Sequence, residues 1–130
     1  MAKTNMKTVS LVLGSGGARG LAHIGVIHWL EKHDYNIRSI AGTSIGALIG
    51  GIYAARKLDE YEQWVRAIKK IDIVTLLDLS WGKSGLVKGD KIINTLVGLV
   101  GEQLIEDLPI QYTAVATDLK NQKEIWMKSG

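Results

Sequence analysis

At 130 residues, with 46% hydrophobic and 22% charged side chains, the sequence suits one folded domain with a sizeable core and excludes a disordered chain. The net charge of +3 comes from scattered lysines and arginines, with no basic run interleaved with aromatics, which argues against nucleic-acid binding. The absence of cysteine excludes disulfides, thiolate catalysis and cysteine metal sites.

TVSLVLG, residues 8–14, is a short aliphatic run stopped by glycine and predicts a buried strand. SGGARG, 15–20, is a loop. LAHIGVIHWLEKH, 21–33, places apolar residues at helical spacing. NIRSIAG, 36–42, predicts a second strand, and after the turn at 42–46 a helix runs from about Ile45 to Arg56. Strand, glycine loop, helix and strand form a βαβ unit, which implies a parallel sheet. Asp59 is placed to cap the helix EYEQWVRAIKKI, and Asp90 to cap KIINTLVGLV. The segment between them, VTLLDLSWGKSGLVKG, is ambiguous between short elements and loop. Pro109 ends a short helical stretch, IQYTAVATDL (110–119) alternates like a strand, KNQKE turns, and IWMK begins a partner strand. A hairpin at the end of so small a sheet leaves an open edge, so the domain is expected to continue past Gly130.

Two glycine motifs carry the chemistry. Gly42, Ser44 and Gly46 form G-x-S-x-G between a strand and a helix, the setting of a nucleophile elbow. A serine there needs a strained backbone, which glycine neighbours without Cβ atoms permit. It also sits at a helix N-terminus, where free N–H groups favour developing negative charge. A plain glycine-rich turn is the bland alternative.

The second motif is GSGGARG, 14–20. It is not a P-loop, because no G-x-x-x-x-G-K-[ST] is present. As a dinucleotide fingerprint it is imperfect: counting from Gly14, the third glycine falls on Arg19, and the second strand ends without an acidic residue for a ribose. As an oxyanion hole it fits better. Gly16, Gly17 and Ala18 offer unhindered N–H groups, and loops after adjacent parallel strands lie side by side.

A serine nucleophile needs a base. His23, His28 and His33 all precede Ser44, so the order Ser, acid, His cannot occur within this chain. At five-residue spacing they point about 140° apart around a helix, as ordinary helix residues and not as a metal set. With no clustered histidine or acidic set expected, no metal and no cofactor is implied. The remaining base is a carboxylate.

GSGGARGLAHIGVIHWL, GTSIGALIGGIYA, SGLVKGDKI and YTAVATDL together resemble the N-terminal part of a patatin-like phospholipase of the bacterial branch, over nearly the whole chain. The resemblance implies a three-layer α/β/α fold with a mainly parallel sheet, of which residues 1–130 are the N-terminal portion, truncated at the C-terminal side. It implies hydrolysis of lipid acyl esters by a Ser-Asp dyad. Ser44 matches the nucleophile, Gly16 and Gly17 the oxyanion loop with Ala18 as a further backbone position, and Arg19 the basic residue there. Gly20, Gly42 and Gly46 belong to the same motifs. Ser15 departs from the usual glycine of that loop. The dyad aspartate of the family lies in D-G-[GA], a tripeptide absent from this sequence, and is expected beyond residue 130. Asp118, at a strand end, is the best candidate inside the chain.

Two other readings stay open. One is a Rossmann-like module binding a nucleotide or phosphate at 14–20; the other is an inactive lipid-binding fragment of the same family. The expected partner is a lipid or acyl ester, with transient contact to a membrane surface through the loop around Trp81 as an option. A cytoplasmic location is the default, since no apolar run is long enough to span a membrane and no leader is recognisable, with specialised secretion left open.

Overall fold

The computed structural model describes residues 6–68 and 85–130, with side chains from Ile93 onward in the second stretch. The ambiguous segment before residue 85 and the loop around Trp81 lie outside the described residues. In order, the elements are β1 (Lys7–Leu13), a 3-10 helix (Gly17–Leu21), α1 (Ala22–Lys32), β2 (Tyr35–Gly42), α2 (Ile45–Ala54) and α3 (Leu58–Ala67). After these come α4 (Gly85–Val100), a second 3-10 helix (Ile105–Asp107), β3 (Gln111–Asp118) and β4 (Lys123–Met127).

The sheet order is β1-β2-β3-β4. The first three strands are parallel, and β4 returns antiparallel to β3. β1 and β2 pair from Lys7 opposite Tyr35 to Leu13 opposite Gly42, with a register shift between Val9 and Ser10. Alternation along β1 assigns the faces. Leu13 is 2% exposed and packs with Leu11 against the core, whereas Val12 on the opposite face is 79% exposed. The described helices therefore form one outer layer of the α/β/α arrangement. Its core lies between that layer and the sheet, where Leu13, Ile27 and Ile49 are the largest fully buried side chains. Each such side chain contributes about 2 kcal/mol by leaving water.

Three local expectations are corrected. α2 ends at Ala54, two residues early, because Arg56 takes a left-handed φ of 58° and Lys57 N–H bonds back to the Ile52 carbonyl. That is the closing geometry of a Schellman cap, usually signalled by a glycine that this sequence lacks. Asp59 is not the cap of α3: Lys57 holds that position, and Asp59 lies in the first turn beside Glu60, where negative charge suits the helix dipole. Asp90 is not a cap either, because α4 begins five residues before it at Gly85. Pro109 does follow a short helical turn, at Ile105–Asp107.

Candidate active site

Parallel pairing brings the loops after β1 and β2 to the same edge of the sheet. Thr43 N–H donates to the Leu13 carbonyl at 3.1 Å, which ties the turn after β2 to the last residue of β1. Gly46 N–H then closes that turn on the Thr43 carbonyl at 3.0 Å, and Leu48 N–H reaches the Ser44 carbonyl at 3.1 Å to begin α2.

Ser44 sits at the apex with φ 52° and ψ −129°. A non-glycine residue there is strained by about 1–3 kcal/mol. The two flanking glycines show what enforces it. A Cβ on Gly42 would stand 2.4 Å from the Gly46 carbonyl oxygen, and one on Gly46 would stand 2.2 Å from the Leu13 carbonyl oxygen. These obstacles are backbone, so no rotamer change relieves them. The chain crosses itself so closely that both positions must lack a side chain.

Ser44 is exposed and caps no backbone N–H, although it occupies the N-cap position of α2. Its hydroxyl is thus not used by the fold. Among the described residues, no imidazole or carboxylate hydrogen-bonds to it.

Gly16, Gly17 and Ala18 enter the first 3-10 helix on the neighbouring loop. Gly16 is its N-cap, Gly17 has φ 53°, and the first bond inside it runs from Arg19 N–H to the Gly16 carbonyl at 3.2 Å. The Gly17 and Ala18 amides precede that bond, so the helix itself provides them no acceptor. Gly20 is buried against Ile45, the residue after Ser44; a Cβ on Gly20 would lie 2.1 Å from the Ile45 side chain. This contact packs the glycine loop onto the first turn of α2. Arg19 is exposed in the last turn of the 3-10 helix.

Sequence reasoning did not show how that loop is pinned. His23 Nε2 lies 2.9 Å from the Gly14 carbonyl oxygen and ties α1 to the start of the glycine loop. Tyr112 was also missed. Its hydroxyl donates to the Ala47 carbonyl at 2.7 Å, holding the first turn of α2 to β3, and burial raises its pKa. The one available signal was that Tyr112 falls on the inward phase of the β3 alternation.

Asp118 lies at the same edge of the sheet. It is four residues past Ala114, the partner of Gly42, or about 13 Å further along the strand. Its Oδ1 accepts from the Lys120 and Asn121 amides at 3.0 and 3.1 Å, and its Oδ2 accepts from Asn121 Nδ2 at 2.6 Å. These bonds, led by that from the Asn121 side chain, hold its carboxyl below the usual range. Asp118 closes the β3–β4 turn.

Helix packing does gather one set of titratable groups, contrary to the expectation from spacing along α1 alone. His28, Asp59 and Glu62 bring ligand-type atoms within 4.8 Å of one another. His28 Nε2 and Glu62 Oε2 are 2.7 Å apart, and Arg66 donates to the other Glu62 oxygen at 2.6 and 2.9 Å. The Glu62 hydrogen bond raises the His28 pKa, and the Arg66 bond chiefly lowers that of Glu62. His28, Glu62 and Arg66 form an ion-pair network joining α1 to α3, with Asp59 close by. His33 instead stacks on Trp29.

No helix among the described residues is long and apolar enough to cross a membrane. The family model for patatin-like phospholipases matches residues 11–128. An uncharacterised NTE family protein of Mycobacterium tuberculosis is 48% identical over 94% of this chain and 34% of its own length. Lysophospholipase NTE1 of Debaryomyces hansenii is 35% identical over 88% of the chain and 8% of its own length. Human patatin-like phospholipase domain-containing protein 6 is 33% identical over 86% and 8%. The chain thus spans about a third of the mycobacterial relative and under a tenth of the other two.

Proposed function

The chain belongs to the patatin-like phospholipase family, and on that premise we propose that it carries the nucleophile half of a serine lipid acyl hydrolase. The observation that carries this reading is Ser44: strained, exposed, free of any capping role, and set at a helix N-terminus against a glycine loop with uncommitted amides. Strain retained at a residue whose side chain does nothing for the fold points to chemistry.

In the proposed reaction Ser44 Oγ attacks the ester carbonyl carbon, and its proton passes to a carboxylate. The carbonyl oxygen becomes an oxyanion held by amides from Gly16–Ala18; losing one such donor costs other enzymes about 3–4 kcal/mol of barrier. The carboxyl returns the proton to the departing alcohol oxygen. Water then cleaves the acyl-serine and releases the fatty acid. The proposed base is the aspartate of the family's dyad, which the resemblance places beyond residue 130; Asp118 is a poor substitute, since its oxygens are spent on the hairpin turn. Lipid acyl esters are the substrate class, in keeping with the lysophospholipase name of one relative.

A fluorophosphonate probe on the full-length protein tests this. Labelling is expected at Ser44, lost in Ser44→Ala and kept in Asp118→Asn. Labelling that survives Ser44→Ala would sink the serine reading. Protection by a nucleotide, with no labelling, would favour the phosphate-binding module instead.

A further inference from the structure

An open apolar groove starts at Ala47, in the first turn of the helix that follows Ser44. It measures about 330 Å³ and lies between α2 and α4 over β3, lined by Ala47, Leu48, Ile52, Leu96, Val97 and Tyr112 among others. That volume is at the small end of ligand sites. Ala47 and Leu48, in the first turn of α2, are three and four residues beyond Ser44, its N-cap residue. The cavity therefore begins one helical turn from the nucleophile and follows the helix.

Its walls suit hydrocarbon. None of the described side chains lining it is charged. Among the described residues its one side-chain hydroxyl, on Tyr112, already donates to the Ala47 carbonyl at 2.7 Å, so two polar groups cancel each other there. The α4 wall stays open: Val97 is 40% exposed and Ile93, also lining it, 59%. Leu96, on the same helix, is packed against the core and fixes α4 in place.

We propose that this groove binds the acyl chain of the ester cleaved at Ser44, and that Val97 and Ile93 set the chain length accepted; this rests on the serine hydrolase reading above. The eight residues from Ser44 to Ile52 rise about 12 Å. An extended chain of roughly nine carbons, zigzagging with C–C bonds of about 1.5 Å, covers that distance. Medium-length acyl esters are the substrate class that fits.

The test is a series of p-nitrophenyl esters, from butyrate to decanoate, on the full-length protein. In the parent, kcat/KM rises by up to roughly fourfold per buried methylene. Val97→Phe, which fills the groove from an exposed position, is expected to lower decanoate turnover at least about tenfold and leave butyrate within about twofold. Ile93→Ala, which removes wall without adding bulk, loses part of the same gain and guards against a folding defect in the first variant. Binding of a dansylated undecanoate to Ser44→Ala protein reads the groove without chemistry. It is expected to persist there and to weaken about tenfold when Val97→Phe is added. If esters are hydrolysed but the variants' chain-length profiles run parallel to the parent's, polypeptide covers the groove and the inference falls while the serine chemistry stands. If no ester is hydrolysed yet the fatty acid binds and Val97→Phe displaces it, the groove stands and the hydrolase reading falls. Fatty-acid binding indifferent to Val97→Phe overturns the inference.

Discussion

At the carboxyl edge of the sheet, Ser44 is positioned by backbone. Gly42, Gly46 and the Leu13 carbonyl meet at distances that admit no side chain, and the Thr43 amide bonds directly to β1. On the flank where α1 meets α3, His28 is positioned by long charged side chains, Glu62 with Arg66, that leave it 38% exposed. The first region tolerates almost no change in shape and stores strain at one residue. The second is adjustable, screened by water and salt, and worth little. Rigidity is concentrated where an attacking oxygen would need placing to a fraction of an ångström.

The largest expected effect breaks the rigid edge. Gly46→Ala forces a methyl into the Leu13 carbonyl, and we expect a loss of about 3 kcal/mol or more in denaturant melts, or failure to fold. A loss under about 1 kcal/mol would show that the edge yields and that the contrast is overstated. Next comes a change of opposite sign. Ser44→Gly relieves the φ of 52° and should stabilise the chain by about 1 kcal/mol while abolishing labelling. A destabilised Ser44→Gly would mean that the serine serves the fold after all.

The smallest effect belongs to the charged pair. His28 is raised from its ordinary 6.5, so its contribution is complete below that pH and is lost as pH rises through the raised value. Glu62 is lowered from 4.5, so its contribution is complete above that pH and is lost as pH falls through the lowered value. His28→Gln should therefore cost most between about pH 4.5 and 6.5, by less than about 1 kcal/mol given the exposure, and the cost should shrink in alkali. A loss independent of pH would assign His28 a packing role instead of an electrostatic one.

Much of this architecture was legible in advance. The alternation and helical spacing of apolar residues placed β1, α1, β2, α2 and the β3–β4 hairpin within a few residues of their observed limits. The errors have local causes. α2 stops at Ala54 because Arg56 adopts a conformation usually left to glycine, and Lys57, not an aspartate, precedes α3. Asp59 and Asp90 carry the residue type of a cap without its position, since a cap is defined by where backbone bonding starts. Asp118 was marked out by its place at a strand end, and hydrogen bonds within three residues of it decided its role.

By itself the sequence determined the strands and most of the helices, the parallel β1–β2 order and the two glycine motifs, because these follow from periodicity and from steric rules that act between near neighbours; it read residues 15–20 as a loop where a 3-10 helix forms, and placed the start of α4 at Asp90 instead of Gly85. Only the tertiary structure decided what those motifs touch. Gly46 lies against Leu13, His23 holds the Gly14 carbonyl, Glu62 reaches His28 across 34 residues, and Tyr112 reaches Ala47 across 65. Such contacts depend on how helices settle on a sheet, which is set by the packing of the whole core and not by any short stretch of chain.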